Sequence, residues 1–213
     1  MTSFTNATIG NGCLGVVLAG GLSSRMGQDK AQLLRKSTAT LSMPSMLEFS
    51  KQMLSDSGIN NIVVSGDNYD VPDQVKQSGP VGGIFSVLSN FPQAKSLLIL
   101  PVDLPFITAR ALTDLRLKGE LSQKATYFAG HNIPLYLPNN AYVALFLAQA
   151  FTITNSNKCQ DSRLGSQSEK KGPSIKALLK QVPHQAIKSR DAKTLFNSNT
   201  PEQWQQAKQQ FNL

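Results

Sequence analysis

Val16-Val17-Leu18-Ala19-Gly20-Gly21-Leu22-Ser23-Ser24-Arg25-Met26-Gly27-Gln28-Asp29-Lys30 opens with the end of an apolar run and closes on a charged pair. Residues 14–18 are apolar or glycine and read as a buried strand, which stops at Gly20-Gly21. Glycines at a strand end allow backbone N–H groups to approach a ligand with no Cβ in the way. Arg25 and Lys30 then supply fixed positive charge, which suits a polyphosphate better than a neutral metabolite. No Gly-Lys-Ser/Thr closes the loop, so it is not a Walker A motif. G-x-G-x-x-G is also absent, which excludes the dinucleotide fingerprint. For a lone glycine pair a plain strand-to-helix turn would be the better reading. Here Gly20, Gly21, Arg25, Gly27 and Lys30 fall within eleven residues, and that convergence favours a phosphate cradle.

Outward from this loop, strand and helix signals alternate. Residues 62–64 and 97–100 are short apolar runs, while residues 44–57 carry Met46, Leu47, Phe49, Met53 and Leu54 at near-helical spacing before Gly58. Gly79-Pro80-Val81-Gly82-Gly83 opens a helix over residues 84–88, and Thr108 caps another running to about residue 117. Residues 125–128 and 133–137 read as strands around Gly130-His131-Asn132. Helices follow at 140–151, 174–180 and 200–211. Such alternation predicts an α/β fold: a three-layer α/β/α sandwich with a mostly parallel, Rossmann-like sheet in one domain spanning residues 1–213. Residues 1–12 read as a polar lead-in, without the apolar core of a secretory signal. Residues 154–173, rich in Ser, Gln, Lys and Asp, read as a loop or flexible insert.

Open α/β sheets bind ligands beyond the carboxyl ends of their strands, and Asp103 falls there, in Pro101-Val102-Asp103-Leu104-Pro105. A carboxylate in that place suits Mg²⁺, which bridges substrate phosphates; an aspartate bonded to its own turn is the plain alternative. Thr200-Pro201-Glu202-Gln203 reads as a capping box with proline at the first helical position. That leaves Asn197 and Asn199 just before it, two neutral oxygen donors suited to a metal or an acceptor substrate. His131 and His184 lie far apart, and no nucleophile–base constellation emerges.

The loop LAGG-x-S-x-RMG-x-DK resembles the signature of the molybdenum cofactor guanylyltransferases, within the nucleotide-diphospho-sugar transferase-like superfamily. Relatives that use sugar nucleotides or pyrimidine nucleotides usually read LAAG, so Gly21 points to the guanylyl branch. Pro101-Val102-Asp103-Leu104-Pro105, Gly79-Pro80-Val81-Gly82-Gly83 and Asn197-Ser198-Asn199-Thr200-Pro201-Glu202 match further segments of the family, and Asp73 matches an acidic position that contacts the nucleotide. The resemblance implies Mg-dependent transfer of GMP from GTP to the phosphate of a molybdopterin-type acceptor, with release of pyrophosphate. It gives Arg25 and Lys30 the phosphates and Asp103 the metal. Leu18, Ala19, Gly20, Gly21, Ser65, Asp73, Gly79 and Gly82 line the nucleotide, and Asn197 and Asn199 serve the acceptor or a second metal. Two departures stand out: Ser65 replaces a frequent asparagine, and residues 35–43 form a polar, β-branched link where the family carries a shorter one with glycine. A transferase using CTP or a sugar phosphate, or a binding protein that has lost turnover, are the alternatives.

A chain of 213 residues supports one substantial core, and no 18-residue apolar run suggests a membrane span. Cys13 and Cys159 lack metal-type spacing and read as reduced thiols of a cytoplasmic protein. The net charge of +8 comes mostly from residues 158–193, with nine Lys/Arg against three Asp/Glu. That stretch holds no aromatic side chain, so it lacks the stacking platforms of a nucleic-acid binder. A solvated basic face is the default, and docking of an anionic pterin or a biosynthetic partner protein is the functional option.

Overall fold

The computed structural model describes residues 12–20, 30–35, 44–156 and 172–211. Gly21, Arg25, Gly27 and the link over residues 36–43 lie outside the described residues, as do residues 1–11 and 157–171. The described elements run β1 (Cys13–Leu18), α1 (Met46–Asp56), β2 (Ile62–Ser65), α2 (Gly79–Asn90), β3 (Ser96–Pro101) and α3 (Ala109–Ser122). They continue with β4 (Ala125–Phe128), β5 (Leu135–Pro138), α4 (Ala141–Ser156), α5 (Ile175–Leu179), β6 (His184–Ile187) and α6 (Pro201–Gln210). The six strands form one sheet in the order β2-β1-β3-β5-β4-β6. Only β5 runs against its neighbours, so the expectation of a mostly parallel sheet holds.

Side-chain alternation along the strands sorts the core into two halves. Leu14, Val16, Leu97 and Ile99 face α2, α4 and α5, where they meet Val81, Ile84, Val143, Leu147 and Leu178. Val17, Val64, Leu98 and Leu100 face α1, α3 and α6, against Met46, Phe49, Leu112, Leu115, Trp204 and Phe211. Period-2 strands buried on both faces need helices on both sides, and the three layers follow. Gly15 is glycine for a packing reason: a Cβ there would stand 2.9 Å from Ile59 and 3.2 Å from Ile62.

Several boundaries move from the sequence expectation. The glycines at 79, 82 and 83 lie inside α2 rather than ahead of it, because the helix begins at Gly79. α3 continues past Gly119 to Ser122; a Cβ at Gly119 would collide with the Tyr136 ring, so this glycine marks close packing rather than a stop. α4 extends to Ser156, so residues 154–156 are helical where a loop is expected. β5 begins at Leu135, two residues later than expected, after Pro134. β6 is an addition: four residues of alternating exposure that pair in parallel with β4 at the sheet edge. Thr108 caps α3, and the capping box of Thr200 and Gln203 opens α6 as expected.

Candidate active site

Every parallel strand ends on one rim of the sheet, and the chain segments that leave that rim bring the candidate residues together. Lys30 follows the loop after β1. Its Nζ donates to Asn199 Oδ1 at 2.7 Å and lies 3.4 Å from Asp103 Oδ2. The two partners stand 73 and 169 residues from Lys30 along the chain. Asp103 sits two residues beyond β3, and its backbone carbonyl accepts from Ser198 N–H at 2.9 Å and from Ser198 Oγ at 3.2 Å. Ser198 therefore fastens the Asn197–Asn199 segment to the end of β3. Asn199 N–H donates to Gln203 Oε1 at 2.7 Å, which ties the same segment to the first turn of α6.

The electrostatics of the junction are not closed. The Asp103 and Lys30 side chains are each 17% exposed. Burial pushes the Asp103 carboxyl above the ordinary carboxylate range, while Lys30 and, less strongly, Asn197 oppose that rise. Among the described residues, Asp103 Oδ1 and Asn197 Oδ1 are both buried with no hydrogen-bond partner. Two such orphan oxygens, one of them on a carboxylate, form a hard-donor pair of the kind that Mg²⁺ or Mn²⁺ prefers. Among the described residues no cluster of three or more His, Cys, Asp or Glu side chains forms a metal cage. A cation here would thus rely on few protein ligands and on substrate phosphates, the usual arrangement for Mg²⁺.

A second part of the rim surrounds Gly20. Ala19 N–H and Gly20 N–H both donate to the Ser65 carbonyl, at 2.9 and 3.0 Å. This changes the expectation for the loop: those two N–H groups bind the neighbouring strand, and what Ala19 and Gly20 can offer a ligand is carbonyl oxygen. Gly20 is hemmed in, since a Cβ would stand 3.2 Å from Gly66 Cα and 3.4 Å from Asp73 Oδ2. Asp73 therefore lies beside the glycine turn. Burial raises its carboxyl above the usual range, Asp67 adds to the rise and Lys76 opposes it. Leu18 is the last residue of β1, and its side chain packs near Gly83 of α2. Ser65 is 1% exposed, with its hydroxyl against Gly83, so its visible task is the carbonyl that holds the end of β1.

The N-terminus of α2 points to the same rim. Ser78 makes no side-chain cap; its hydroxyl donates to the Val75 carbonyl instead. Among the described residues Ser78 thus leaves the start of this twelve-residue helix without a side-chain cap, which favours an anion. Gly79 has φ +67° and open space around it, whereas a Cβ at Gly82 would collide with Ser78 Oγ. Gly79 and Gly82 thus both belong to the start of α2, one by conformation and the other by packing. His131 and His184 stay outside the junction: His131 is exposed, and the His184 ring lies 6.0 Å from that of Tyr127.

Residues 15–149 match the model of the MobA-like NTP transferase domain. The chain belongs to the MobA-like NTP transferase family. It is also 31% identical to the molybdenum cofactor guanylyltransferase of Xanthomonas euvesicatoria pv. vesicatoria (strain 85-10), over 89% of this chain and 91% of that protein. The guanylyltransferase branch expected from the loop is borne out by that relative. Among solved structures, the molybdopterin-guanine dinucleotide biosynthesis protein A of Archaeoglobus fulgidus aligns with a TM-score of 0.64 at 18% identity, covering 93% of this chain and 98% of that one. The 2-C-methyl-D-erythritol 4-phosphate cytidylyltransferase of Thermus thermophilus aligns with a TM-score of 0.54 at 14% identity, covering 93% of this chain and 98% of that one. At those identities the two structures show a shared fold. Family membership makes the chain a nucleotidyltransferase. No helix among the described residues is long and apolar enough to cross a membrane.

Proposed function

We propose that this nucleotidyltransferase moves GMP from GTP to the phosphate of a molybdopterin-type acceptor. The observation that carries the reading is the junction of Lys30, Asp103 and Asn199, with the orphan oxygens of Asp103 and Asn197 beside it. In the reaction an acceptor phosphate oxygen forms a bond to the α-phosphorus of GTP, the bond from that phosphorus to the β-bridging oxygen breaks, and pyrophosphate leaves. An acceptor phosphate is already ionised near neutral pH, so no general base is required.

Lys30 supplies charge to the phosphates, and Asn199 aims its ammonium from the far side. Asp103 and Asn197 would hold Mg²⁺, which neutralises phosphate charge when bound. The uncapped start of α2 at Gly79 favours the triphosphate, and the glycine turn at Gly20 with Asp73 beside it receives the nucleoside. Arg25 belongs to the phosphate loop by its motif. Donor-rich guanine edges suit a turn that presents carbonyl oxygens at Ala19 and Gly20. The basic residues after position 172 serve an anionic acceptor, and the reaction fits a cytoplasmic protein. The name of the Xanthomonas relative supports the same substrates.

Thermal-shift titrations with Mg²⁺ and GTP, CTP, ATP or UTP should show the largest stabilisation with GTP. Stabilisation by CTP alone overturns the guanylyl reading. Release of pyrophosphate from Mg-GTP only when molybdopterin is added tests the acceptor; GTP binding without turnover would point to a binding protein.

A further inference from the structure

Behind the junction, on the face carrying α1, α3 and α6, one guanidinium links the chain after Lys30 to the segment after Asp103, to α1 and to the end of the helix that follows Asn199. Arg35 lies five residues beyond Lys30. Its Cζ is 4.1 Å from the centre of the Phe49 ring in α1 and 4.8 Å from that of Phe211, the residue that closes α6. Its Nε donates to the carbonyl of Pro105 at 2.9 Å, two residues beyond Asp103. The backbone is fastened as well: Arg35 N–H donates to the Pro44 carbonyl at 2.8 Å, and Leu34 forms an isolated antiparallel bridge with Ser45.

Burial disfavours the charged form of this side chain, and among the described residues no carboxylate pairs with it. A guanidinium in that setting is used for its flat face and its directed donors. A lysine cannot stack on two rings and hold a carbonyl at once. The neighbouring aromatic rings extend the same contact surface. Phe106 lies 5.3 Å from Phe211 and 5.9 Å from Phe196, so the residues flanking Asp103 and Asn197 meet on the clamped helix.

We infer that Arg35 is a positioning residue, clamping the segments of Lys30, Asp103 and Asn199 so that their ammonium, carboxylate and amide meet at the rim. The inference rests on the proposed function for its catalytic consequence, while its structural content stands separately. Arg35→Met keeps an apolar stem between the rings and removes the donor to Pro105. Leu147→Ala, a buried truncation on the opposite face, serves as a control for general destabilisation.

Hydrogen exchange followed by mass spectrometry or NMR should show the Ser198 amide, which donates to Asp103, exchanging about tenfold faster or more in Arg35→Met, with the strand amides of β1 unchanged. kcat for pyrophosphate release should fall on the order of tenfold to a hundredfold, with KM for GTP nearly constant, because a misplaced catalytic group costs rate rather than ground-state binding. Arg35→Lys should recover part of the loss. Should Arg35→Met fail to fold, Arg35→Lys carries the same exchange comparison. Unchanged Ser198 exchange, or acceleration equal to that of Leu147→Ala at every amide, overturns the clamp. If the wild-type protein releases no pyrophosphate from Mg-GTP with molybdopterin, the proposed function fails by itself, and the exchange readout still decides the role of Arg35.

Discussion

At the amino-terminal rim of the sheet, Cys13 and Tyr136 both hydrogen-bond Ser96, and burial makes each of them hold its proton more tightly. At the carboxyl-terminal rim, Asp103 leans on Lys30 and Asn197, and among the described residues its Oδ1 and Asn197 Oδ1 are buried and accept no hydrogen bond by geometry. Both rims are built from the same strands, with Cys13 and Ser96 paired at one end of the β1–β3 ladder and Leu18 and Pro101 at the other. At the amino rim the Arg116–Glu120 ion pair stands near both groups, and the unpartnered buried atom there among the described residues, Arg116 Nε, is a donor. The other leaves acceptors bare beside a lysine. Burial without a partner costs about 1–3 kcal/mol per polar group, so a fold retains it where a ligand completes the set.

The largest effect should come from removing the carboxylate that makes the carboxyl rim distinctive. Asp103→Ala should lower turnover on the order of a thousandfold or more, read as pyrophosphate release, while thermal unfolding stays cooperative. A variant with near-normal turnover would erase the contrast between the rims. Lys30→Ala should cost roughly a hundredfold to a thousandfold in kcat, since it removes the charge that the proposed function aims at the phosphates. Lys30→Met, which fills the same space without charge, should be no better; recovery by Met would mean that packing at Asn199 is what matters.

A smaller change tests the geometry that holds the carboxyl rim together. Gly66 has φ +152°, and a Cβ there would stand 2.9 Å from Gly20 N. Gly66→Ala should lose about 1–3 kcal/mol of stability in urea unfolding and weaken the GTP-induced thermal shift. Unaltered nucleotide binding would detach the Gly20–Gly66 contact from the site.

The smallest effect belongs to the amino rim. Burial pushes the Cys13 thiol up to about 11. A thiol whose folded value lies above its unfolded one stabilises the fold fully below the unfolded pKa, near 8.5, and that contribution is lost as pH rises through about 11. Cys13→Ala should therefore flatten the loss of stability between pH 9 and 11 by on the order of 1 kcal/mol, measured as urea midpoints across that range. Iodoacetamide at pH 8 should modify Cys13 slowly in the native protein, followed on its own peptide. Rapid alkylation would show that this rim is not sealed.

The half of the fold nearest the loop was the more legible. The strands at β1, β2 and β3 are short apolar runs buried on both faces, and their positions read directly from composition. β6 escaped because His184-Gln185-Ala186-Ile187 is an edge strand with alternating exposure and little apolar signal. α3 runs past its expected end near residue 117 through Gly119, and the reason for that glycine, the Tyr136 ring, lies on a distant strand. Lys30, Asp103, Asn197 and Asn199 were legible as separate motifs, though nothing local says that they meet. Arg35 was invisible as anything but part of a link, since its partners are two phenylalanine rings and a carbonyl 70 residues away. Spacing reveals a site whose logic is local, and side chains that act across the fold leave no such mark.

The contact between Lys30 and Asn199 spans 169 positions. Loops of that length close late, after the local helices and the first parallel strands have formed. The region that matches the family model ends at residue 149, so a growing chain can complete that sheet nucleus long before Asn199 exists. Such an intermediate would hold Lys30 without its Asn199 partner. On the proposed roles of Lys30 and Asn199, competence for transfer would arrive only with the segment that opens the last helix.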